Sequence, residues 1–178
     1  TKALCEAIQP SFFELTVAMA FEYFAEEKVD IAVIETGLGG RLDSTNILSP
    51  ILSVITNIGY DHMHILGNSL VEIASQKAGI IKENTPVVIG EIIPETLQVF
   101  IQEANKKNAP IYFAQEIFIT EYIETSDSLL LCNIKNKKTG IVEKLRLDLT
   151  GLYQSKNCTT VLCCIQQLQH LGFPITEN

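Results

Sequence analysis

The chain has 178 residues, of which 47% are hydrophobic and 19% are charged, and its formal net charge is −8. This length is sufficient for one domain with a hydrophobic core, while the acidic balance argues against nonspecific binding to nucleic acid or to an anionic membrane surface. The longest apolar runs fall short of the ~20 residues that a membrane-spanning helix needs. The five cysteines show no CxxC or zinc-finger spacing, so we expect reduced thiols in a cytoplasmic protein.

Strand and helix patterns alternate along the first two thirds of the chain. Apolar residues with a period near 3.6 predict a helix over residues 10–27. Further helices are predicted over residues 68–82 and 94–107, and strands over residues 30–35, 51–56, 86–89 and 110–113. Strands that alternate with helices indicate βαβ units, so the predicted fold is α/β, with a mostly parallel sheet flanked by helices.

The pattern changes after residue 114. Residues 128–134 and 141–149 are rich in β-forming side chains and are joined by a polar, Gly-containing turn at 136–140. They predict an antiparallel hairpin or small second sheet at about 115–150. A last helix is predicted over residues 154–171, with Gly172 just beyond its end. No internal repeat or linker is visible, so we expect residues 1–178 to form a single unit.

The segment Glu-Thr-Gly-Leu-Gly-Gly-Arg-Leu-Asp-Ser-Thr-Asn, residues 35–46, carries more charge than a simple turn requires. It follows the apolar run 31–34, and its three glycines allow sharp turns and close approach to a ligand. Glu35 is predicted to lie at the carboxyl end of a strand, which is where open α/β sheets bind their ligands. Arg41, Asp43 and Asn46 follow on the same loop.

A second polar group, Asp61 and His62, follows the next predicted strand. If the two strands are neighbours in a parallel sheet, Glu35 and His62 face one crevice, and a carboxylate with an imidazole suits a divalent cation. His64 is a second choice on the same segment. The alternatives remain open, because a glutamate at a strand end is usually solvated or ion-paired and a lone histidine usually has a structural role.

Lys77 interrupts an apolar helical stripe. The stripe consists of Leu70, Ile73, Ala74, Ala78 and Ile81. A lysine in line with these residues is partly desolvated, which favours a neutral, nucleophilic amine. Such an amine reacts with carbon dioxide to give a carbamate, an anion with two oxygen acceptors. The alternative is that the side chain extends past the stripe and keeps its ammonium in water.

Several segments together resemble the folylpolyglutamate synthase/dihydrofolate synthase family of the Mur ligase superfamily. The strongest are residues 35–46, Ile-Thr-Asn-Ile-Gly-Tyr-Asp-His at 55–62, and Ile-Ala-Ser-Gln-Lys-Ala-Gly-Ile-Ile-Lys at 73–82, with Leu-Gly at 66–67 before it. Residues 10–21 resemble the family's preceding helix, and Gly-Leu-Tyr-Gln-Ser-Lys-Asn at 151–157 resembles its Gly-x-x-Gln-x-x-Asn segment. The resemblance spans most of residues 10–172.

This resemblance implies an ATP-dependent ligase. In such enzymes ATP phosphorylates a carboxylate of folate or dihydropteroate, and the amine of L-glutamate attacks the acyl phosphate to form an amide. The resemblance implies that Glu35 and His62 bind Mg²⁺ and that Lys77 is a carbamylated lysine that completes the metal site. It further implies that Asn157 contributes to the nucleotide site, and that Asn46, Arg41 and Asp43 shape a loop for nucleotide and substrate. The parent enzyme is expected to be monomeric.

Two features depart from the family pattern. Gln76 stands where the family often has Glu, at a position off the apolar stripe, so we expect a small effect. The family's phosphate loop, Gly-x-x-x-x-Gly-Lys-Ser/Thr, does not occur in residues 1–178. We therefore expect a fragment of the central ATPase domain, without the phosphate-loop segment and without the C-terminal Rossmann-like domain, that is inactive by itself.

Two other functions stay open at this point. One is a Mur-type cell-wall amino-acid ligase with the same metal triad, although residues 37–43 favour the folate branch. The other is a noncatalytic α/β binding domain. The sequence does not distinguish a dihydrofolate synthase from a folylpolyglutamate synthase or from an enzyme with both activities.

Overall fold

The computed structural model describes residues 2–126 and 128–175. The chain divides into two compact units, which we call the first unit (residues 1–48) and the second unit (residues 49–178). The two are described separately below.

The first unit is built on helices. It contains α1 (Lys2–Ile8), α2 (Phe12–Glu27) and a short 3-10 helix (Ser44–Ile47). Helix α2 begins with a capping box, in which Ser11 Oγ accepts a hydrogen bond of 3.2 Å from the Glu14 N–H and Glu14 Oε2 accepts one of 2.7 Å from the Ser11 N–H. It ends at Lys28, which adopts a left-handed conformation with φ 51°. The helix predicted at residues 10–27 is confirmed.

The strand predicted at residues 30–35 is wrong. Residues 31–36 form no helix and pair with no strand. Ile31 and Val33 have exposed fractions of 41% and 91%. A strand is held by hydrogen bonds to a neighbouring strand, and no strand is found in the described part of the first unit. An apolar run alone does not supply that neighbour, so Glu35 does not lie at a strand end here.

A parallel sheet forms the centre of the second unit. Its strands are β1 (Ser53–Ile55), β2 (Val87–Ile89) and β3 (Ile111–Phe113), in that spatial order, with β2 fully buried. The connections contain α3 (Met63–Leu66), α4 (Leu70–Ala78) and α5 (Pro94–Lys106). These elements confirm the predicted βαβ pattern. Helix α4 ends at Ala78, before the predicted residue 82, because the chain turns at Gly79 and Ile80.

An antiparallel sheet follows the short helix α6 (Ala114–Ile117). Its strands are β4 (Phe118–Thr125), β5 (Leu130–Asn136) and β6 (Val142–Leu147), in that order. The prediction of an antiparallel sheet in this region is confirmed, although β4 itself was not predicted. A register shift between Thr120 and Tyr122 interrupts the alternation of β4, which weakens its signal in the sequence.

Helix α7 (Gln154–His170) packs against both sheets and confirms the last predicted helix. One hydrophobic cluster in the core of the second unit consists of Val88, Ala114, Phe118, Leu130, Cys132, Ile134 and Cys163. It therefore contains residues from β2, the antiparallel sheet and α7. All five cysteines are free thiols. Within the described residues, no helix combines the length and apolarity that crossing a membrane requires.

Candidate functional site

Asp43 stabilises the Gly-rich loop of the first unit, residues 35–46. Its Oδ2 accepts a hydrogen bond of 2.8 Å from the Leu38 N–H, and its Oδ1 accepts bonds of 2.9 Å and 2.5 Å from the N–H and the hydroxyl of Thr45. Burial raises the pKa of Asp43, but these hydrogen bonds and one from the Gly37 N–H outweigh it, so the pKa lies below its ordinary value of 3.8. Both oxygens of the Asp43 carboxylate therefore accept hydrogen bonds within the loop.

Gly37 lets the same loop approach helix α2. A Cβ atom at this position would lie 2.5 Å from Cζ of the Phe13 ring, well inside van der Waals contact. Any larger residue would have to displace that ring. Because the Phe13 ring is 40% exposed and its contacting atom is the far end of a side chain, the ring can move, and packing favours glycine here rather than requiring it.

The charged groups of Glu35 and Arg41 do not contribute hydrogen bonds or ion pairs to the described part of the first unit. Both side chains are exposed. The Arg41 carbonyl, in contrast, accepts a bond of 3.1 Å from Asn46 Nδ2. The loop is held by hydrogen bonds of Asp43 and Asn46, and the charged groups of Glu35 and Arg41 lie at its surface.

In the second unit, His62 lies where the segment after β1 turns into α3. It adopts a left-handed conformation with φ 49°, which is uncommon for a residue with a side chain. Asp61 Oδ1 accepts a bond of 2.8 Å from the His62 N–H, and Asp61 Oδ2 lies 3.6 Å from His62 Nε2. The His64 ring lies 6.3 Å from the His62 ring, and both are exposed. The imidazole is thus held beside a carboxylate in contact with solvent.

Lys77 lies near the end of helix α4. The predicted apolar stripe is present, since Ile73 and Ala74 are fully buried and Ala78 and Ile81 are each 2% exposed. The Lys77 side chain itself is half-buried, and within the described residues its amine forms no hydrogen bond or ion pair. His62 directly precedes α3, which contacts α4, the helix that carries Lys77.

Asn157 lies in the first turn of α7. Its Nδ2 donates a bond of 2.8 Å to Gln154 Oε1, and its side chain is exposed. The preceding Lys156 forms an ion pair of 2.9 Å with Glu91, which directly follows Gly90 at the end of β2. Sequence reasoning missed this pair, although Glu91 follows a predicted strand and satisfies the same strand-end criterion that singled out Glu35.

The predicted residues therefore fall into two groups. Glu35, Arg41, Asp43 and Asn46 belong to the first unit, whereas His62, Lys77 and Asn157 belong to the second. Among the described residues, no three His, Cys, Asp or Glu side chains cluster as metal ligands. A cleft of about 430 Å³ between α6, the β5–β6 turn and the end of α7 contains none of the predicted site residues.

Comparison with known proteins places these residues in a family. Residues 8–165 match the Mur ligase middle domain. The chain is 44% identical, over 164 residues, to a dihydrofolate synthase/folylpolyglutamate synthase of Bacillus subtilis, which covers 90% of this chain and 37% of the relative. A solved structure described as an FPGS–AMPPCP–folate complex superimposes with a TM-score of 0.86 at 30% identity, over 98% of this chain and 43% of that one.

A folylpolyglutamate synthase of Thermotoga maritima superimposes with a TM-score of 0.77 at 36% identity, over 94% of this chain and 37% of that one. The chain thus spans less than half the length of each of these relatives. The family match at residues 8–165 includes both groups of predicted site residues. The chain therefore belongs to the family of Mur ligase middle domains, and its similarity within that family is to folylpolyglutamate and dihydrofolate synthases.

Proposed function

We propose that this chain is part of an ATP-dependent ligase that adds L-glutamate to dihydropteroate or to folate through an acyl phosphate. The observation that carries this proposal is the 44% identity over 164 residues to a dihydrofolate synthase/folylpolyglutamate synthase. The likeness to a complex with AMPPCP and folate supports ATP as the phosphoryl donor and a folate as the acceptor. Glutamate is proposed as the third substrate from the names of these relatives.

Glu35, His62 and Lys77 are proposed to hold Mg²⁺. Their chemistry fits the ion, because Glu35 offers an exposed carboxylate and His62 offers an imidazole beside Asp61. The side chain of Lys77 is half-buried, and among the described residues its amine forms no hydrogen bond or ion pair. Carbamylation would convert the Lys77 cation into an anionic ligand. When bound, Mg²⁺ supplies charge that neutralises the phosphoryl oxygens during transfer.

The remaining predicted residues are proposed to bind or orient the nucleotide and substrate. Asn157 presents an exposed amide in the first turn of α7 and is proposed to contact the nucleotide. Arg41 offers an exposed guanidinium suited to a phosphate or carboxylate. Asp43 and Asn46 are proposed to act through the shape of the loop, since both form hydrogen bonds within it.

The chain is proposed to act within the central domain of a longer, cytoplasmic and monomeric enzyme. Its relatives are more than twice as long, and residues 1–178 contain no Gly-x-x-x-x-Gly-Lys-Ser/Thr loop. Backbone N–H groups of such a loop are a major anchor for phosphates. We therefore propose that residues 1–178 alone do not turn over ATP.

An ATP-dependent phosphate-release assay tests the proposal. The complete protein that carries this chain should release phosphate only when glutamate and either dihydropteroate or tetrahydrofolate are both present, and residues 1–178 alone should not. Release that instead requires a cell-wall peptide precursor would assign the chain to the other ligase branch. If none of these acceptors supports phosphate release, the chain is better explained as a noncatalytic binding domain.

Substitution of Lys77 tests the metal site. Lys77→Ala in the complete protein should abolish turnover, and Lys138→Ala, at an exposed turn lysine, should not. Partial rescue of Lys77→Ala by a small carboxylate would support the carbamate. Full activity of Lys77→Ala would refute the proposed role.

A further inference from the structure

Strand β1, strand β2 and helix α7 meet at Gly90 with no space for a side chain. A Cβ atom on Gly90 would lie 2.3 Å from the Thr56 carbonyl oxygen and 2.6 Å from Thr160 Oγ1. The Gly90 N–H donates a bond of 2.8 Å to the Ile55 carbonyl, which extends the pairing of β1 and β2 beyond their last paired residues. The carboxyl edge of the sheet is thus in direct contact with α7.

Glu91 continues this contact to the beginning of α7. Its N–H donates a bond of 3.1 Å to the Thr56 carbonyl, so the backbone of Glu91 is fixed to the end of β1. Its carboxylate lies 2.9 Å from Lys156 Nζ, and the exposed fractions of the two side chains are 23% and 57%. The ion pair therefore joins the sheet edge to the first turn of the helix.

The first turn of α7 has its own internal supports. The Lys156 carbonyl accepts bonds of 2.7 Å and 3.1 Å from the hydroxyls of Thr159 and Thr160, both of which are buried. The backbone of Lys156 is thus fixed by the hydroxyls of Thr159 and Thr160, and its side chain is fixed by Glu91. Asn157 is the next residue, so its position depends directly on that of Lys156.

We propose that Gly90 and the Glu91–Lys156 ion pair form a positioning corner, which fixes the first turn of α7 on the sheet edge and thereby orients Asn157 toward the nucleotide. The proposal rests on the proposed function, in which Asn157 contacts ATP. Glu91 and Lys156 act here as positioning residues. The contact of Gly90 sets how closely α7 approaches the sheet, and the ion pair sets the position of its first turn.

Steady-state kinetics of the complete protein, followed by phosphate release, test this corner. Lys156→Met and Glu91→Gln should each raise the KM for ATP about twofold to fivefold, as expected for loss of a partly exposed ion pair. The double variant should show no larger effect than either single one, because both remove the same interaction. The charge-reversed pair Glu91→Lys with Lys156→Glu should restore most of the affinity for ATP. In all of these variants the KM for glutamate and the melting temperature should not change.

Matched variants separate a positioning role from a structural one. Lys106→Met removes an exposed ion pair with Glu103 (3.9 Å) on α5 and should leave the KM for ATP unchanged. Gly90→Ala should raise the KM for ATP and also lower the melting temperature, since it displaces α7 itself. A uniform loss of kcat and stability in Lys156→Met, without a selective change in the KM for ATP, would overturn the positioning role.

Asn157→Ala distinguishes failure of this inference from failure of the proposed function. If Asn157→Ala raises the KM for ATP and Lys156→Met does not, the corner is refuted and the nucleotide contact stands. If Asn157→Ala leaves the KM for ATP unchanged, the nucleotide contact and the corner are both refuted, while acceptor-dependent phosphate release still reports on the ligase activity.

Discussion

The Thr45 hydroxyl and the Thr45 N–H donate hydrogen bonds of 2.5 Å and 2.9 Å to the same oxygen of Asp43. The other oxygen of Asp43 accepts a bond of 2.8 Å from the Leu38 N–H. One carboxylate thus links Leu38 and Thr45 across the Gly-rich loop. The charged groups of Glu35 and Arg41 are exposed and form no hydrogen bond or ion pair within the described part of the first unit.

Asp43→Asn should loosen this loop without unfolding the chain. The amide keeps one acceptor oxygen and loses the charge, so we expect the local free energy of opening to fall by about 1.5–3 kcal/mol, the range for hydrogen bonds to a charged group. Hydrogen exchange at the Leu38 and Thr45 amides measures this change. Asp30→Asn, at an exposed carboxylate, provides the control. Equal protection in the two variants would show that Asp43 does not hold the loop.

The same carboxylate makes the loop sensitive to acid. Because the folded pKa of Asp43 lies below its ordinary value of 3.8, the ionised form is favoured by folding. Its contribution is fully present above about pH 4 and is lost as the pH falls through the folded pKa. Protection of the Leu38 and Thr45 amides should therefore decrease below that pH in the wild-type chain. Asp43→Asn should abolish this dependence.

The sequence predicted the parallel sheet well, because its strands and helices bury most of their apolar residues within the second unit. It predicted the strand at residues 30–35 wrongly, because an apolar run does not reveal whether a neighbouring strand exists to pair with it. Val33, at 91% exposed, shows the consequence. The buried helical stripe beside Lys77 was predicted because its pattern is local in sequence. The Glu91–Lys156 pair joins residues far apart in the chain, and no local pattern reports such a contact.

Ser69→Ala should destabilise helix α4, which carries Lys77. Ser69 Oγ accepts a bond of 3.2 Å from the Glu72 N–H, while Glu72 Oε2 accepts one of 2.6 Å from the Asn68 N–H. Loss of a Ser N-cap costs about 1 kcal/mol. Urea unfolding should show this decrease in the free energy of unfolding. Ser75→Ala, on the exposed face of the same helix, should change it much less. If both variants behave alike, the cap does not stabilise α4.

The thiols of Cys163 and Cys164 on α7 should be unreactive in the folded chain. Burial raises the pKa of Cys163 to about 11, and burial together with the neighbouring Cys163 raises that of Cys164 to about 12. Since the thiolate is the nucleophile, iodoacetamide at pH 8 should leave both residues unmodified in buffer and modify both in guanidinium chloride, as measured by peptide mass spectrometry. Cys5, which is not part of this core, serves as the internal reference for reagent activity.

These raised pKa values also predict a loss of stability in alkali. A thiol whose folded pKa exceeds its ordinary value of 9.0 stabilises the folded state below that pH, and the contribution is lost as the pH rises through the folded pKa. The free energy of unfolding should therefore fall between about pH 9 and pH 12. Cys163→Ala removes the ionisable group at the cost of a small cavity, so it should be less stable than the wild type at neutral pH and show a shallower decline. An equally steep decline in this variant would assign the alkaline sensitivity to groups other than Cys163.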